Sequence, residues 1–161
     1  MPSPSSPPQP LPVPPGPGQA LRAPPPPTPL PRTLARLLLG AFLVVAGTGH
    51  LTFQRSEFLA QVPRWLPLDG DLVVLASGVV ELLLGGALLF LGRWRVPVGL
   101  VVAAFLVAVF PGNLNQYLHR IDAFGLDTDR ARFIRLFFQP LLVLWALWST
   151  GAWRAWRASR P

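Results

Sequence analysis

Residues 72–91 read LVVLASGVVELLLGGALLFL, twenty residues with a single charge, Glu81. An α-helix rises about 1.5 Å per residue, so about twenty residues cross a hydrocarbon core about 30 Å thick. Three further stretches have the same character. Val96 to Leu118 is 23 residues without a charge, and Leu136 to Trp153 is 18. Leu37 to Phe53 is 17 residues whose one titratable group is His50. Together they predict an all-α fold: a four-transmembrane-helix bundle in a lipid bilayer, with spans at 33–51, 71–91, 96–118 and 134–152.

The chain has 161 residues, 51% of them hydrophobic, a length for one domain. All 14 positive charges are arginines, set against seven acids. They are spread along the chain rather than clustered as a nucleic-acid binder requires, so no nucleic-acid partner is expected. There is no cysteine, which removes disulfide frameworks, thiolate metal sites and CxxC redox pairs. A redox role would have to run through a bound cofactor or a partner.

Outside the spans the chain is sharply partitioned. Residues 1–31 hold 15 of the 21 prolines and predict a disordered or polyproline-II tail, not a signal peptide. The membrane domain then occupies 32–153, with a basic C-terminal tail over 154–161. Between the first two spans, FQRSEFLAQVPRWLPLDG (53–70) predicts a short interfacial helix over 57–62, capped by Ser56 and stopped by Pro63. Residues 119–133 form the polar connection to the fourth span. The side holding both termini and the 92–97 turn carries eight arginines against six opposite, which favours cytoplasmic termini.

Glu81 lies about ten residues into its helix, about 15 Å deep, where a charge costs about 2.5–3.5 kcal/mol on insertion scales. Ser77, Gly78 and Gly85 are four before, three before and four after it, so they share its face. Small residues there predict close packing against another helix, with Glu81 buried between the two. Gly40, Gly47 and His50 share a face of the first helix, and Arg135 and Gln139 share one on the fourth. Pro111 frees the Val107 carbonyl and predicts a kink in the third helix, close to Asn113 and Asn115.

His50, Glu81, Asn113, Asn115, Arg135 and Gln139 are therefore the candidate pocket residues, gathered toward the non-terminal end of the bundle. His50 taken alone reads as an interfacial histidine at a helix end. Asn113 and Asn115 divide evenly between pocket roles and capping of backbone freed by Pro111. For Glu81 two readings compete. Either Arg135 reaches it in a structural ion pair, or Arg135 snorkels outward and leaves Glu81 to meet a proton or a quinone headgroup.

Five segments carry a resemblance: GTGHLTF (47–53), EFLAQVPRWLP (57–67), SGVVELLLGG (77–86), VAVFPGNL (107–114) and IRLFFQPLLVLWAL (134–147). Over residues 33–150 the chain resembles the DoxX-like family of small bacterial membrane proteins. The matching positions are His50, Pro63, Pro67, Gly78, Glu81, Pro111, Asn113, Arg135 and Gln139. It departs in placing Leu51 and Thr52 between His50 and Phe53. The resemblance implies a four-helix bundle in the bacterial cytoplasmic membrane, serving as an accessory or structural subunit of a quinone-linked redox complex without catalytic activity of its own. Other subunits and further copies of the chain are the partners it implies. The alternative is an oligomeric transporter or channel for protons or small solutes, although the two helix pairs show no inverted repeat. Two histidines, His50 and His119, at helix ends are a weak basis for bis-histidine haem, and no metal site is expected.

Overall fold

The computed structural model describes residues 28–158. Its long helices are α1 (Leu30–Leu51), α3 (Gly70–Phe90), α4 (Arg95–Leu118) and α5 (Asp129–Thr150). Two short ones accompany them, α2 (Arg55–Gln61) and α6 (Ala152–Ala158), and a 3-10 turn at Gly92–Trp94 joins α3 to α4. The four long helices, α4 taken with the turn before it, are each long and apolar enough to cross a membrane. The protein is thus an all-helical, multi-pass membrane bundle, with no strand among the described residues.

The expected boundaries need four adjustments. Helix α1 begins at Leu30, because Pro31 sits in the first turn, where a missing N–H costs nothing. The remainder of the proline-rich tail expected over 1–31 lies outside the described residues up to residue 27. Helix α2 begins at Arg55 behind Gln54, with no side-chain cap, so Ser56 lies inside its first turn rather than capping it. The chain does leave the helix at Val62, just before Pro63. Helix α5 starts at Asp129, five residues before the expected 134. Thr128 accepts the Ala131 amide at 3.2 Å, and Asp129 adds negative charge at the helix N-terminus. At the C-terminus, residues 152–158 of the expected tail are helical, and residues 159–161 lie outside the described set. Pro111 and Pro140 both lie inside continuous helices.

The helices pack as two close pairs, α1 with α3 and α4 with α5. Glycines set the first. A Cβ on Gly85 would stand 2.8 Å from the Gly40 carbonyl oxygen, and one on Gly47 would stand 2.7 Å from that of Gly78. These antiparallel contacts lie seven residues apart on each helix, so backbone meets backbone over two turns. Gly78 and Gly85 thus have the packing role read from the sequence. In the second pair, Gly99 accommodates the Thr150 side chain. Leu39, Leu43, Leu88, Val102, Ala103, Leu106 and Ala146 fill the common core. Most other large apolar side chains, Leu38, Leu83, Val107 and Leu141 among them, are exposed. In a bundle of spans that surface faces lipid.

Two buried arginines complete the frame. Arg36 donates to the Leu88 carbonyl at the end of α3, where orphan carbonyls and the helix dipole favour a cation. Arg132 is 4% exposed and ties down the connection before α5. It pairs with Asp122 and with Asp129 at 2.9 Å, and it donates to the carbonyls of Asp127 (2.9 Å) and Ile121 (3.3 Å).

Candidate functional site

A cavity of about 790 Å³ lies between the two helix pairs, toward the end where α2 packs. His50, Glu81, Asn113, Arg135 and Gln139 all line it, joined by Gln54 and Gln61. Phe42, Leu43, Leu142 and Trp145 line its deeper part. Gln139 is six residues nearer the start of α5 than Trp145, so the polar-to-apolar gradient runs over about 9 Å of helix.

Glu81 is buried against α1, 7% exposed, with its Cβ beside Gly47. Its partner is His50 rather than Arg135. His50 Nδ1 lies 3.0 Å from Glu81 Oε2 and also 3.0 Å from the Ala46 carbonyl oxygen. One ring nitrogen carries at most one hydrogen, and the in-helix Ala46 carbonyl is aligned to accept it. Glu81 Oε2 therefore sits at ion-pair distance but has no directed hydrogen bond within the described structure. His50, read from sequence as an interfacial histidine, is instead 8% exposed, and its ring stacks on Phe58 with centroids 3.4 Å apart. The short α2 turns Phe58 back over the end of α1, which a reading of α1 alone could not supply.

Arg135 belongs to a separate chain of bonds. Its Nε donates to Asn113 Oδ1 at 3.3 Å. Asn113 Nδ2 donates to Gln139 Oε1 at 2.8 Å, and Gln139 Nε2 donates to the Leu106 carbonyl at 2.6 Å. The guanidinium carbon lies 4.5 Å from the centroid of the Phe124 ring, within cation–π range. Among the described residues no carboxylate is within ion-pair distance of Arg135. Of the two readings open for Glu81, the Glu81–Arg135 pair does not form among the described residues, since each group has its own neighbours.

Asn115 does not join the site. Two residues along a helix is about 200° around it, so Asn113 and Asn115 cannot share a face. Asn115 instead donates to the Gln61 carbonyl at 3.2 Å. Gln61 Nε2 in turn donates to Gln116 Oε1, and Gln116 Nε2 donates to the carbonyls of Ile121 and Ala123. His119 is exposed, with Nδ1 3.1 Å from the Asn115 carbonyl oxygen, and is not among the cavity residues. Pro63 is buried behind α2, while Pro67 is exposed in the turn that follows. No group of three or more potential metal ligands lies among the described residues.

Gln54, Phe58 and Gln61 were not singled out as site residues by sequence. The spacing of three puts Phe58 and Gln61 on one face of α2, and Gln54, its N-cap, lies four residues before Phe58, a signal present in the chain. Phe124 carried no such signal. It sits in the left-handed region at φ 58°, held by its amide N–H, which donates to Glu57 Oε2 at 2.5 Å.

A model of a domain family described as a domain of unknown function, DUF8561, matches residues 39–150, from within α1 to the end of α5. No curated protein and no solved structure matches the chain. The match covers more than half of the sequence, and the protein belongs to the DUF8561 family.

Proposed function

We propose that this DUF8561 protein is an accessory subunit of a membrane redox complex, and that its cavity holds the headgroup of a quinone-class lipid. The observation that carries the proposal is Glu81, a side chain of a spanning helix that lines the cavity and whose buried Oε2 has no directed hydrogen bond among the described residues. Burying such an atom without a donor costs about 1–3 kcal/mol, more when the group is charged. A ligand that donates to it removes that cost. Across the cavity, Arg135 offers donors to an acceptor oxygen. A ring bearing oxygen at both ends, exchanging carbonyl for hydroxyl as it is reduced, can answer both, and Phe58 and Phe124 supply flat apolar walls. The DoxX-like resemblance supports the same reading. So does the lack of cysteine, which leaves electron transfer to a bound group or a partner. In this reading the protein sits in the bacterial cytoplasmic membrane with both termini inside, and the α2 end faces outward.

Purification in mild detergent, followed by lipid extraction and chromatography, tests the proposal. Wild-type protein should carry quinone in a fixed ratio, and Glu81→Gln should lose most of it while remaining folded. Quinone-free wild-type protein, together with unchanged quinol-dependent respiration in a deletion strain, would refute the proposal.

A further inference from the structure

The cavity is partly open, and its exposed lining lies on two helices. Its roof is α2 and the connection between α4 and α5. Phe58 lies on His50, Phe124 stands edge-on to Phe58 with centroids 4.7 Å apart, and the Glu57 carboxylate holds the Phe124 amide. At its base, Trp145 Nε1 donates to the Ala35 carbonyl at 2.9 Å, pinning α5 to α1. Arg32 lies over the Trp148 ring one turn further on. The walls from α3 and α4 are buried at Glu81 and Leu106. The exposed lining residues all belong to α1 and α5: Phe42 (48%), Val45 (63%), Ile134 (48%) and Phe138 (59%).

Those four side chains are apolar. Val45 precedes His50 by five residues, so the opening lies about 8 Å deeper than the histidine, at hydrocarbon depth. A water-soluble solute would have to cross lipid to reach it, whereas a membrane-dissolved molecule meets it directly. We infer that the ligand enters sideways from the bilayer through the gap between α1 and α5. It is therefore a lipid-soluble, tailed molecule whose tail lies against Phe42, Val45 and Phe138 while its head occupies the Glu81 end. The inference rests on the cavity being a ligand site.

Stopped-flow tryptophan quenching in nanodiscs, with a decyl-tailed benzoquinone as the probe, tests it, because Trp145 lines the cavity. Ala46 also lines the cavity, one residue from Val45 at the opening. Ala46→Phe should slow uptake about tenfold or more. Leu83→Phe, equally bulky but on the lipid face of α3 and outside the cavity, should leave uptake unchanged. Glu57→Ala, which unlatches the roof, should not quicken uptake. If Ala46→Phe does not fold, Phe138→Ala carries the test and should quicken uptake. Uptake that ignores both opening variants, or that quickens in Glu57→Ala, overturns the sideways route while the cavity remains a ligand site. Wild-type protein that shows no saturable quenching overturns the site and the route together.

Discussion

Gly85 and Gly86 are neighbours in the second half of a spanning helix, and the same substitution should affect stability differently at the two. At Gly85 a Cβ would lie 2.8 Å from the Gly40 carbonyl oxygen, 2.8 Å from Val44 Cγ2 and 3.0 Å from the Val44 backbone nitrogen. Ordinary contact begins at 3.4 Å, so α1 must retreat by about 0.6 Å. Two of the three atoms are backbone, so no side-chain rotation relieves the clash. Overpacking of this kind costs about 1–3 kcal/mol, against a helix gain of about 0.5–1 kcal/mol for replacing glycine. Taking the middle of each range, Gly85→Ala should therefore lose about 1 kcal/mol net. At Gly86 a Cβ meets nothing within 4 Å, so only the helix gain remains and Gly86→Ala should be neutral or stabilising by about 0.5 kcal/mol. Reversible unfolding in mixed micelles, followed by circular dichroism, reads the difference. Equal effects of the two substitutions, or a neutral Gly85→Ala, would refute the glycine-set approach of α1 and α3.

Three further substitutions probe the polar frame. Arg132→Met removes charged hydrogen bonds to Asp122 and Asp129 and to two carbonyls, and should destabilise the fold by about 1.5–3 kcal/mol, the range for bonds to charged groups. Hydrogen exchange should then rise over residues 120–128 and leave α1 and α3 protected. Asn115→Leu breaks the bond to the Gln61 carbonyl and should cost about 1 kcal/mol while leaving bound quinone in place. Asn113→Leu severs the link from Arg135 to Gln139 and should lower quinone content with a smaller stability change.

The spans, their number and the burial of Glu81 were legible because each depends on one helix read alone. Length and apolarity fix a span, and the spacing of Gly78, Glu81 and Gly85 fixes a face. The pairing of α1 with α3 was half legible, since each helix shows its glycines but not its partner. Partner choice between polar groups was the part left open. Arg135 had opposite charge to Glu81 and suitable depth, yet the ion-pair distance belongs to His50, whose helix the glycines press against α3. Asn115 was left divided between two roles, although a position two residues from Asn113 had to point elsewhere. The start of α5 was available in Thr128 and Asp129, but the charge of 129–135 masked it in a reading led by hydropathy.

The glycine contacts also decide where the site can be. Glu81 lies three residues after Gly78 and four before Gly85, so it occupies the same face of α3, between the two points where α1 comes closest. A carboxylate there is committed to whatever α1 presents at that height, which is His50. Arg135, Asn113 and Gln139 are bonded among themselves on the other helix pair and end on a carbonyl of α4. Each half of the bundle thus fixes its own polar groups, and among the described residues no bond of that network crosses from Arg135 to Glu81. The cavity is the space left between two internally braced halves. Its width depends on how they meet along α1 and α5, where the Trp145 bond to Ala35 holds one end and, among the described residues, no comparable bond closes the gap beside Val45 and Phe138. A ligand seated there would contact both halves at once, so its binding should stiffen their junction without rearranging either. The measurable consequence is slower hydrogen exchange in α5 around Phe138 when quinone is bound, with exchange at the Gly78–Gly85 contact unchanged.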